Sequence, residues 1–151
     1  MTDSLLHRII VPISNEEDTR ATCEALLPQL DETVELVNLL YVIEQTKGYI
    51  DTTSPEALEQ EARGWFEIGE ELLETVDGFQ TELRAGTDVV DEIVASAVEH
   101  DATAIVFKPR EKGRLSRLLS HDVKERLLTE SPCPVITLPE ADEDGFTEIS
   151  D

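Results

Sequence analysis

Two cysteines, one tryptophan, two tyrosines and only 12 Lys plus Arg against 34 Asp plus Glu mark what this 151-residue chain has little of. Each scarcity excludes something. Cys23 falls in a helical pattern and Cys133 between two prolines far away, so neither a disulfide nor a cysteine metal site is expected, and both read as small buried residues. His7, His100 and His121 each stand alone with no ligand spacing, so no metal is expected either. There is no run of 18 apolar residues and no N-terminal apolar stretch with a cleavage pattern. The chain therefore reads as soluble and cytoplasmic, without membrane insertion. Hydrophobic residues still make up 40% of it, in periodic blocks, which is the composition of a folded domain and not of a disordered acidic tail.

The formal net charge is -22. The acids are spread over every segment, a pattern that suits general surface hydration in a salt-rich cytoplasm better than a docking patch for one cationic partner. A surface of this sign is a poor match for nucleic acid, which is not expected as a partner. Against that background seven of the 12 basic residues (Lys108, Arg110, Lys112, Arg114, Arg117, Lys124, Arg126) fall between 108 and 126. They follow the apolar run 104–107. A cationic loop after a buried strand is where an α/β fold holds an anion.

The hydrophobic pattern alternates between strand and helix. Strands are expected at 7–13, 33–43, 79–85, 104–107 and 135–138, the first and fourth as short continuous apolar runs buried on both faces. A helix should follow Ser14 and Asn15, with the spacing Ser14 to Glu17 suiting a capping box, and run to about Leu30. Ser54-Pro55 reads as a cap and first helical residue, and Leu58, Ala62, Trp65, Gly69, Leu72 and Val76 trace the buried face that follows. Thr87 or Asp88 should cap a third helix carrying Val89, Val90, Ile93, Val94, Ala97 and Val98. A fourth helical pattern begins at Leu115 and runs to about Glu130. The order β-α-β-α-β-α-β-α-β predicts one doubly wound α/β domain, with five parallel strands and helices on both faces. Its last strand, if it lies on an edge, needs covering, and pairing with its copy in a second subunit would do that.

Six segments together resemble the universal stress protein family over 5–139: IIVPIS (9–14), LLYVIE (39–44), Glu82-Leu83-Arg84-Ala85-Gly86, AIVFKPR (104–110), LSRLL (115–119) and SPCPVITLP (131–139). The resemblance implies strand order 3-2-1-4-5 and a homodimer built on Val135, Ile136, Thr137 and Leu138, with 140–151 left as an acidic tail. ATP-binding members of that family carry G-x2-G-x9-G-[S/T] after the fourth strand, where glycines let backbone N–H groups approach the phosphates. Aligned on Val106 and Val123, the four positions are Lys108, Glu111, His121 and Asp122, and all are replaced. Ser14 stands where ATP binders have an acidic residue that contacts ribose, and Val42 where a backbone contact to adenine would be. Glu111 and Asp122 put negative charge where polyphosphate would sit. At an effective dielectric of 20, a like charge at 4 Å costs about 4 kcal/mol, more than the roughly 1 kcal/mol net of a neutral hydrogen bond.

The family's usual ATP mode is therefore expected to be disabled, with no cofactor. Lys108, Arg110, Lys112 and Arg114 either hold a smaller anion, such as a monophosphate or carboxylate, or pair with acids of the same protein or its dimer mate. Ser14, Ser116 and Ser120 have no assignable base, and no catalytic residue is expected. Two functions follow. One is a dimeric binding or regulatory module without ATPase or kinase activity, acting through an unidentified protein partner. The other is a nucleotide or small-anion sensor using 108–117, with at most slow ATP hydrolysis.

Overall fold

Five parallel strands in the order β3-β2-β1-β4-β5 form the sheet of the computed structural model, which describes residues 5–45, 55–108 and 121–138. The elements run β1 (Arg8–Pro12), α1 (Glu16–Leu26), β2 (Leu36–Glu44), α2 (Pro55–Leu72), β3 (Phe79–Gly86), α3 (Val89–Glu99), β4 (Ala104–Phe107), α4 (His121–Glu130) and β5 (Val135–Thr137). Both the doubly wound class and the strand order agree with the expectation. Long β3 lies on one edge and three-residue β5 on the other.

Side-chain alternation sends each strand's residues to two cores. Ile9, Val11, Val37, Leu39, Ala104 and Val106 meet Cys23 and Leu26 of α1 and the fully buried Leu73 just past α2. Ile10, Leu40, Ile105 and Phe107 meet Val89, Val90, Ile93 and Ala97 of α3 and Leu127 of α4. Burying an aliphatic side chain of this size stabilises by about 1.5–3 kcal/mol, so the two cores are the main source of stability. Trp65 packs in the first core, edge-on to Tyr41 with centroids 5.0 Å apart, as expected for a core residue.

Several local expectations are corrected. α1 stops at Leu26 and a 3-10 turn, Leu27–Gln29, replaces its last turn, because Pro28 has no N–H to continue the helical ladder. Its cap is Asn15 and not Ser14: the Asn15 side chain accepts from the Asp18 N–H at 2.7 Å. β2 starts at Leu36, three residues later than the pattern suggested, since Asp31 and Thr33 close a turn on each other first. Val98 is 59% exposed and does not join the core. Gly78 is a close-approach position, where a Cβ would overlap the Glu35 carbonyl oxygen at the entry to β2.

Candidate functional site

The chain leaves β1 for α1 on one face of the sheet and leaves β4 towards α4 on the other, as the two cores show. Neighbouring parallel strands whose connections part in this way open a crevice at their C-terminal ends. Ser14 follows β1 and Lys108 follows β4, so the fold brings these two sequence-predicted residues to that crevice.

On the β1 side, Ile13 donates its N–H to the Leu40 carbonyl at 2.9 Å and keeps the strand end fixed. Ser14 then gives both its N–H (2.9 Å) and its hydroxyl (3.0 Å) to Oδ2 of Asp18. Thr22 donates its hydroxyl to the other oxygen, Oδ1, at 3.1 Å. Asp18 is only 3% exposed. The Ser14 donors beside the strand end, with the Thr22 hydroxyl, are thus directed at the chain's own carboxylate. Sequence reading missed Asp18. The row Ser14, Asp18, Thr22 at i, i+4 spacing, together with Asn15 three residues before Asp18, was the signal available.

On the β4 side, Lys108 is 8% exposed. The register Ile9↔Ala104, continued along the strands, sets Lys108 level with Ile13, and Ile105↔Val135 sets it level with Leu138. Ile13 and Leu138 are both buried in the α1-side core, so alternation directs the Lys108 side chain to that face as well. No hydrogen bond or ion pair joins its ammonium to any described residue.

Val42 lies two residues beyond Leu40, whose carbonyl takes the Ile13 N–H, so its backbone runs on beside the end of β1. Its side chain packs in the α3-side core, on the opposite face of the sheet from Lys108. His121 opens α4 as its first residue with Asp122 next, which puts the backbone of both at the head of that helix. Arg110, Glu111, Lys112 and Arg114 lie outside the described residues. Of the last-strand set, Val135 and Ile136 are half-buried, Thr137 is exposed and Leu138 is buried.

A second polar cluster joins β2, β3 and α3, where Glu82 and Arg84 stood out in the sequence only as part of a family segment. Asn38, fully buried in β2, donates to Glu82 at 2.8 Å, and Ser96 of α3 donates to the same Glu82 oxygen at 2.7 Å. Arg84 joins Glu82 (2.7 Å), Glu92 (2.9 Å) and Glu99 (3.2 Å). Burial pushes the Glu82 carboxyl up, but the bonds from Ser96, Asn38 and Arg84 outweigh it and hold the group below the usual carboxylate range. Burial pushes the Cys23 thiol up to about 12, so at neutral pH it is a protonated core residue and no nucleophile. Among the described residues no group of three or more His, Cys, Asp or Glu is placed to hold a metal, and no helix is long and apolar enough to cross a membrane.

This crevice belongs to a fold with known relatives. The sequence profile of the universal stress protein family matches residues 6–139. The chain belongs to the universal stress protein family. No curated relative matches it, but solved structures of the family share its fold. Universal stress protein UspA from Lactobacillus plantarum is 18% identical, with a TM-score of 0.67 over 91% of this chain and 100% of that one. A universal stress protein from Archaeoglobus fulgidus in complex with dAMP is 18% identical, with a TM-score of 0.58 over 90% and 100% of the two chains. An Arabidopsis thaliana family protein with AMP bound is 18% identical, with a TM-score of 0.55 over 92% and 94%. Identities this low speak for the fold of this universal stress protein and not for its ligand.

Proposed function

We propose that this universal stress protein is a cytoplasmic binding and regulatory module that works as a homodimer in a salt-rich cell, catalyses no reaction, and does not take ATP in its family's usual way. The observation that carries the reading is Lys108. Where ATP-binding relatives place a glycine so that backbone can approach phosphate, this chain places a long side chain and buries it at the strand end. Asp18 adds to it, because the donors beside β1 already hold a carboxylate and a polyphosphate would meet that charge. Titration of ATP into the purified protein in molar salt, followed by calorimetry, is expected to give no saturable heat. A micromolar dissociation constant would overturn the reading.

The homodimer would form on β5, whose outer side pairs with no strand among the described residues. Ile136→Asp places a charge on that strand and is expected to halve the sedimenting mass, with far-UV dichroism checking that the fold persists. An unchanged dimer would sink the interface.

A second reading, a small-anion or nucleotide sensor with at most slow hydrolysis, draws on the lack of any described partner for Lys108. That dAMP and AMP are bound by two proteins of the same fold also supports it. Phosphate titration, described next, separates it from the first.

A further inference from the structure

We infer that Lys108 is the anchor for a single compact oxyanion, inorganic phosphate or the phosphate of a monoester, and that Asp18 restricts the crevice to one such group. The inference rests on the sensing reading above and assigns its ligand class and its residue. A buried ammonium loses its hydration, and the loss is recovered only by a counter-charge or acceptor close by. Lys108 is nine-tenths buried, flanked along the register by the apolar Ile13 and Leu138, and has no acceptor among the described residues. An oxyanion at the C-terminal ends of the strands supplies the acceptor, in surroundings where the attraction is screened less than at the surface.

The β1 side sets the limit. In a polyphosphate site the N–H groups at the strand end and helix start would take the second and third phosphates. Here the Ser14 N–H and hydroxyl and the Thr22 hydroxyl all donate to Asp18, and the Asp18 N–H donates to Asn15. Any phosphate beyond the first therefore meets no free donor on these groups and approaches a carboxylate. Among the described residues, the crevice offers one buried cation on the β4 side and one buried carboxylate on the β1 side. That charge pattern suits a single oxyanion and opposes a chain of them.

Calorimetric titration with sodium phosphate at constant ionic strength tests this on the wild-type chain and on Lys108→Met and Lys108→Arg. Methionine keeps an unbranched stem, one atom shorter, and removes the charge, so the fold is expected to persist with a melting point equal or higher. Saturable phosphate binding to the wild type is expected, weakened roughly 10- to 100-fold by Lys108→Met, as loss of one charged hydrogen bond implies. Lys108→Arg should keep most of the affinity, and ATP should bind no tighter than phosphate. Equal phosphate affinity in Lys108→Met would overturn the anchor while leaving the sensing reading standing. Absence of phosphate binding to the wild type would overturn both. ATP binding much tighter than phosphate would overturn the single-group limit, and with it the closed ATP mode.

Discussion

Arg84→Met is expected to lower stability by about 3 kcal/mol, which for a chain of this length is a fall of roughly 6–12 °C in melting temperature. Arg84 is the one described cation joined to Glu82, Glu92 and Glu99, and its side chain and that of Glu82 are each less than a fifth exposed. Removing the arginine leaves the partly buried Glu82 and Glu92 without their counter-charge beside each other, which costs more than the pairs themselves contributed. The cost is therefore paid by the carboxylates left behind. A second measurement checks the cause. Because Glu82 is held below the usual carboxylate range in the fold, its stabilising contribution is present above the unfolded carboxylate pKa of about 4.3 and lost as pH falls through the lower folded value. The difference between wild type and Arg84→Met should accordingly narrow as the pH drops below about 4. A gap independent of pH would assign the effect to packing of the arginine stem instead.

Raising sodium chloride from about 0.1 M to several molar is expected to raise the melting temperature by about 10 °C, equivalent to about 3 kcal/mol in a chain of this size. A formal charge of -22 on 151 residues is strong self-repulsion, and the screening length falls from about 10 Å at 0.1 M to about 3 Å at 1 M. Most acids have no basic partner to offset them, since only 12 cations are available for 34 acids. The well-paired exceptions, Glu82 with Arg84 and Asp88 with Arg126, sit partly inside the fold and respond less to salt. Potassium chloride should act as sodium chloride does. A melting temperature flat across this range would refute the repulsion argument.

The doubly wound fold was legible because its signals are local. Short, β-branched apolar runs such as Ile9-Ile10-Val11 and 104–107 read as strands buried on both faces, and helical patterns between them suit parallel crossovers. Boundaries were less legible where a single side chain decides them. Pro28 ends α1, and Asn15, not Ser14, caps it, because the Ser14 hydroxyl is drawn to Asp18. Ser14 and Lys108, which follow the adjacent strands β1 and β4, could be named from the motif positions. Asp18 could not, because a carboxylate in a first helical turn is common as a surface charge, and only the fold shows it 3% exposed under three donors.

By itself the sequence determined the alternation of strands and helices, carried by residue type and spacing along one chain, and through its resemblance to the family it implied the strand order. Tertiary structure alone decided which charges are buried. Asn38, Glu82, Ser96 and Arg84 come from three different elements, and Lys108 and Asp18 are 90 positions apart in the chain. Burial depends on what packs around a group from distant segments, and it fixes whether a charge is screened by water or must be answered by a partner. That is why Lys108, one cation among many along the sequence, stands out in three dimensions as a buried one, at strand ends where Asp18 is a buried carboxylate.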